Sequence, residues 1–189
     1  MALKINEVLI PARLSFVHLA EPYAFNDSQK AKYSVQMIIA KKDIGTLKAI
    51  KAAIDGAASL YGDSCKLLGK DKKLFTNIDM PLHDGDLEKP KGGDYGPECA
   101  DSYVMNAKNT DKPILVDENG ITITDPLKFY SGCYALVFVN FYGFNNSAKG
   151  IACSLKGVKF ARDGEPLGGH VTAEYAFGNT TEVDFDPLA

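Results

Sequence analysis

Tyr134, Leu136, Phe138, Asn140, Tyr142 and Phe144 occupy alternate positions of one long apolar stretch, YALVFVNFYGF. A period of two places them on one face of a β-strand, with Ala135, Val137, Val139, Phe141 and Gly143 on the other. The second set suits a core. The first leaves rings around an Asn amide on the outside, which is unfavourable in water unless something covers them. Either a second layer of protein does so, or the rings stack on flat ligands. Every nucleic-acid base offers a π-face, and each stack on an aromatic ring is worth about 1–3 kcal/mol. Other strand-like segments and turns carry cations at Arg13, Lys32, Lys108, Lys149, Lys156 and Lys159. Rings interleaved with spaced cations suit a groove for a single polynucleotide strand, held with little sequence preference. In that reading Arg13, Lys32, Lys108, Lys149 and Lys156 follow the phosphates. Tyr103, Tyr134, Phe138 and Tyr142 are the stacking candidates, and Ser34 and Asn140 can hydrogen-bond phosphates or base edges.

Catalytic chemistry finds little support. The three histidines, His18, His83 and His170, stand in different segments and none has metal-ligand spacing. His83-Asp84-Gly85-Asp86 is the best metal candidate, but a DGD run reads as a turn. Gly69-Lys70 is followed by Asp71 and lacks the Gly five positions upstream, so it is not a phosphate loop. No GxSxG occurs. Cys65, Cys99, Cys133 and Cys153 form no CxxC pair, and reduced, mostly buried thiols are expected. The expectation is a non-enzymatic protein without metal or cofactor.

The elements that position these residues are mostly strands. Ile10–His18 and Lys32–Ala40 each alternate apolar and polar positions, which predicts an antiparallel pair. Ile44, Leu47, Ile50, Ile54, Ala57 and Leu60 then recur every three or four residues, predicting a helix with Asp43 at its N-cap and a left-handed Gly62 ending it. Residues 62–101 are rich in Gly, Pro, Lys and Asp and predict a long irregular excursion of the functional or mobile kind. Strand patterning resumes at Ser102–Lys108, Pro113–Val116, Gly120–Thr124, Tyr134–Phe144 and Gly150–Phe160. Without βαβ alternation, this predicts a mainly β fold: a five- to six-stranded antiparallel barrel, one helix after the second strand, and a long irregular loop.

The chain has 189 residues and a net charge of −3, unevenly placed. Residues 1–162 hold all 21 basic residues and 18 of the 24 acidic ones. Residues 163–189 hold six acids and no Lys or Arg. A mildly basic domain, 1–162, followed by an acidic tail, 163–189, fits a polyanion partner. No segment approaches the roughly 18 consecutive apolar residues of a membrane span. The N-terminus lacks a signal peptide's long apolar segment, so a cytoplasmic location is expected.

ARLSFVHL (12–19), KYSVQMIIAKKD (32–43), PLHDGD (81–86), FYSGCYALVFVNFYGFN (129–145), KGIACSLKGVKFARDGEPLGG (149–169) and EVDFD (182–186) together resemble the bacteriophage single-stranded DNA-binding proteins. The match spans nearly the whole chain in order. More distantly, 131–145 and 149–160 look like the last two strands of podovirus proteins of the same kind. Val158-Lys159-Phe160 departs from the Val-Gln that relatives often carry. The resemblance implies an OB-fold, a role in phage DNA replication or recombination inside the host cell, and an acidic C-terminal tail. Glu182, Asp184, Phe185 and Asp186 would then offer replication or recombination proteins a charged, apolar-anchored segment. A homo-oligomer is compatible with this reading. The rival is a non-catalytic interaction module whose aromatic face docks another protein.

Overall fold

The structure, a computed structural model, describes residues 2–168. Its first strand, β1 (Glu7–Tyr23), is longer than the alternation predicts and carries a bulge between Ser15 and His18. Phe16 takes a left-handed conformation there (φ 46°). β2 (Lys32–Ala40) pairs antiparallel to β1, and α1 (Ile44–Tyr61) follows. Asp43 Oδ1 accepts the Thr46 amide at 3.2 Å, the expected N-cap bond, and the Thr46 side chain and amide together hold the Asp43 carboxyl below its ordinary pKa.

The helix end differs from expectation. Gly62 is right-handed (φ −57°), and its amide donates to Ala58 O. Glycine is needed there for space, since a Cβ would sit 2.4 Å from Ala58 O and 2.6 Å from the Leu68 side chain. The left-handed residue comes later, at Lys66 (φ 55°).

Three further barrel strands and two short strands that extend the sheet complete the architecture. β3 (Leu82–Asp84) is one of the short strands, paired antiparallel to β4 (Ser102–Asn109). β5 (Ile114–Val116) runs parallel to β7 (Lys149–Arg162), which hairpins with β6 (Tyr134–Asn145). The strand order is β3-β4-β2-β1-β6-β7-β5, and a β4–β7 contact between Lys108 and Ser154 closes the ring. Five strands, β1, β2, β4, β7 and β6, therefore form a barrel with its closing pair parallel, while β3 and β5 extend it. This is the OB-fold, with the helix inserted after the second strand.

Inside lie Ala135, Val137, Val139 and Phe141 of β6, with Ile10 and Leu14 of β1, Met37 and Ile39 of β2, Met105 of β4 and Leu155 of β7, all essentially inaccessible. The helix contributes Ile50, Ala53, Ile54 and Ala57 to the same core, while Ile44 and Leu60 at its ends remain exposed. All four cysteines are free, and Cys99, Cys133 and Cys153 are buried, which raises the pKa of each thiol.

Candidate nucleic-acid interface

Register, rather than sequence proximity, assembles the outer face of the barrel. Ser34 of β2 stands opposite His18 of β1 and Lys108 of β4; Lys108 stands opposite Ser154 of β7, which faces Asn140 of β6. Paired residues share a face, so these five form a polar belt around the barrel. The next row is Ser15, Gln36 and Asn106, with the Gln36 amide donating to Asn106 Oδ1 at 3.4 Å. Lys32 stands opposite Tyr23, whose ring stacks on His18 with centroids 4.5 Å apart and planes 11° apart. The bulge at Phe16 changes the pairing register between Ser15 and His18.

Above Gln36, Asn106 and Lys108 opens a groove of about 640 Å³. Its other wall comes from the excursion between α1 and β4: Asp79 and Met80, His83 of β3, and Lys89, Lys91 and Tyr95. That wall is a shaped turn. The Lys89 amide donates to Gly93 O and the Gly92 amide to Lys89 O, with both glycines at positive φ (88° and 83°). Lys89 Nζ lies 5.3 Å from the Tyr95 ring centre. Burial lowers the His83 pKa, an effect partly offset by Asp79. Three ammonium groups, two amides and a tyrosine thus converge on a trough that also contains the Asp79 carboxylate. Such a set can bind an extended polyanion carrying flat rings.

The residues singled out from sequence fall into separate neighbourhoods. Lys32, Ser34, Lys108 and Asn140 lie on the belt or at its edge. Asn140 Oδ1 is buried with no donor. Tyr142 stands opposite Ala152 on the same face of β6, 38% exposed. Lys149 is at the β6–β7 hairpin, where its carbonyl accepts the Asp79 amide, and Lys156 is exposed at a β7 bulge.

The others lie apart. Arg13 donates to Gly132 O at 3.3 Å and Glu165 O at 2.6 Å, beside Tyr134. Phe138 lines an apolar cleft with Leu9, Leu136 and Ile114. Tyr103 stands opposite Ile39, on the register of the inward residues, with Lys41 Nζ 5.5 Å from its ring. Glu182, Asp184, Phe185 and Asp186 lie outside the described residues.

Sequence reasoning missed His18, Tyr23, Gln36, Asn106, His83, Lys89, Lys91 and Tyr95. For the last three a signal existed: EKPKGGDYG interleaves lysines with a ring, the pattern already used to read the strands.

The barrel and its basic, ring-bearing groove define an OB-fold of the polynucleotide-binding class. The family model described as Enterobacter phage Enc34, ssDNA-binding protein, matches residues 3–187, and the chain belongs to that family. Protein p50 of Acyrthosiphon pisum secondary endosymbiont phage 1 is 32% identical over 200 residues, covering 100% of this chain and 98% of that protein. Among solved structures, the single-stranded DNA-binding protein of bacteriophage Enc34 in complex with ssDNA superposes with a TM-score of 0.68 at 24% identity, covering 89% of this chain and 96% of that one. gp2.5, a single-stranded DNA-binding protein of bacteriophage T7, shares the fold at a TM-score of 0.57 and 17% identity, covering 92% and 98%.

Proposed function

We propose that this member of the phage ssDNA-binding family coats single-stranded DNA through the groove between the β2–β4 face and the 79–95 wall. Its contribution to phage DNA replication or recombination in the host cell would come from binding rather than catalysis. The observation that carries this reading is the convergence of Lys89, Lys91 and Lys108 with Tyr95, Gln36 and Asn106 on one trough. Lysines hold phosphates as point charges regardless of sequence. The stacked His18–Tyr23 pair extends the ring surface along β1, beside Lys32. Residues 1–162 form the binding domain, and residues 163–189 an acidic segment that competes for the groove or engages partner proteins.

The test is fluorescence anisotropy on a labelled oligothymidine over a series of salt concentrations. Each phosphate neutralised contributes about −0.7 to the slope of log affinity on log salt. The combined Lys89→Ala, Lys91→Ala, Lys108→Ala variant is expected to flatten the slope by about 2. An unchanged slope removes the groove from the DNA path.

The apolar cleft at Phe138, about 320 Å³ and lined by Leu3, Leu9, Ile114 and Leu136, supports a second reading, a protein-docking face. Leu9→Lys would then abolish partner capture and leave DNA affinity intact.

A further inference from the structure

We propose that Lys41 is a positioning residue for strand binding: with Asp84 and Asp86 it forms an ionic clasp that holds the Lys89–Tyr95 wall over the β2–β4 face. The proposal rests on the groove being the DNA path. Lys41 follows β2 directly, and its Nζ lies 2.6 Å from Asp84 Oδ1 and 2.6 Å from Asp86 Oδ2. The HDGD run is therefore a seat for the protein's own ammonium group. Both carboxylates are also used locally: Asp86 Oδ1 accepts the Asp101 amide at 3.0 Å, and Asp84 Oδ1 accepts the Asp86 amide at 3.0 Å. Between them, the Gly85 amide donates to Ser102 O, and a Cβ on Gly85 would lie 2.4 Å from Cys99 O. The Lys41 amide itself donates to Asp101 O.

The turn is thus bonded to the C-terminal end of the excursion at Asp101, to Ser102 at the start of β4, and to Lys41 at the end of β2. His83 precedes it, and Lys89, Lys91 and Tyr95 follow within ten residues of it. An isolated exposed ion pair contributes little. This one differs because three groups share one geometry, and that geometry fixes where the wall begins. Asp84 and Asp86 are held below their ordinary pKa by Lys41, and the Lys41 ammonium is held above its own.

Simple electrostatics and the clasp predict opposite signs, and this makes the proposal testable. If Asp84 and Asp86 were only two anions near a DNA groove, removing them would tighten binding. If they hold the wall, removing them weakens it. The experiment is anisotropy of the full-length protein with labelled oligothymidine, across salt, for Asp84→Asn with Asp86→Asn, for Lys41→Met and for Lys41→Arg. The double carboxamide variant and Lys41→Met are each expected to lose about three- to tenfold in affinity. The salt slope should stay unchanged, because no phosphate contact is removed. Their combination should lose no more than either alone, and Lys41→Arg should restore binding. Amide hydrogen exchange in the DNA-free protein should accelerate across residues 87–96 in Lys41→Met and little elsewhere.

Tighter binding by the carboxamide variant overturns the clasp, as does unchanged exchange in the wall. Asp86→Asn alone, which leaves Asp84 on Lys41, replaces the double variant should that fail to fold, and a gain in affinity overturns the proposal equally. The triple lysine variant separates the two readings. A flattened slope there with tighter-binding carboxamides rejects only the clasp, whereas an unaltered slope rejects the groove.

Discussion

The guanidinium carbon of Arg162 lies 3.6 Å from the centre of the Tyr134 ring, across the pair of strands where the two residues stand opposite each other. Arg13 approaches the same ring at 5.9 Å while its own N–H groups hold Gly132 O and Glu165 O. Arg13 thereby fastens the chain that leaves β7 at Glu165, and Gly164 of that chain lies against the Tyr134 ring. Gly164 is bonded to the Tyr130 hydroxyl, the Leu167 amide donates to Ser131 O, and Leu167 packs with Tyr95 against Ile38, Cys99 and Val104.

Base stacking is expected to fall on other rings. Tyr23→Ala and Tyr142→Ala should each cost roughly 1–3 kcal/mol of ssDNA binding, with little change in melting temperature, since both rings are exposed. Tyr134→Ala should act mainly on stability. Anisotropy titrations paired with thermal melts separate these outcomes, and normal affinity in the first two variants would take those rings off the DNA path.

Affinity should also depend on pH through His83. Burial lowers its pKa from the ordinary 6.5, so the DNA-free groove holds it neutral at pH 7. A phosphate in the groove favours the imidazolium and raises that pKa, so binding takes up a proton and tightens as pH falls. The folded state alone shows the reverse trend. The unfolded chain protonates His83 more readily, so this residue's contribution to stability is lost as pH falls through 6.5 toward the depressed folded value. Titrations at pH 7.5 and 5.5 should show a larger gain for the native chain than for His83→Gln. Equal gains would place His83 outside the phosphate field.

Leu167 packs with Tyr95, which also lines the groove, and residues 169–189 follow in sequence. Deleting them removes four acids, Glu174, Glu182, Asp184 and Asp186. Binding of ssDNA should tighten at low salt, and the gain should fade as the Debye length shrinks to about 8 Å near physiological salt. A truncated protein with unaltered low-salt affinity would show that the tail does not compete.

Gly56→Ala tests the packing of the helix against the N-terminal segment. Alanine in a helix interior is normally favoured over glycine by about 1 kcal/mol. Here the new Cβ would lie 2.0 Å from Ile5 O, a backbone atom that cannot swing aside. The clash should win, destabilising the fold by about 1–3 kcal/mol in denaturant titrations while the folded fraction keeps its DNA affinity.

Alternation and helical period made the barrel legible from the chain itself. The inward residues of β6 and the apolar face of α1 were readable because burial imposes a fixed spacing on each element. The resemblance of its ordered motifs pointed to ssDNA binding, and the family match agrees. Which outward residues face one another was not readable. Lys108 meets Ser34 and Ser154 only through strand register and barrel closure, which join residues far apart in sequence. The excursion between α1 and β4 carries no period at all, so its lysines and Tyr95 read as loop until the Lys41 clasp and the β3–β4 pairing set them over the groove. Tyr134 and Arg13 carried the right chemistry for DNA; that Arg13 also holds Glu165 O and that Arg162 lies over the Tyr134 ring was visible only in the fold. Local sequence decides which way a side chain faces, because strand and helix geometry are short-range. What that side chain meets is decided by long-range pairing, and only the folded barrel supplies it.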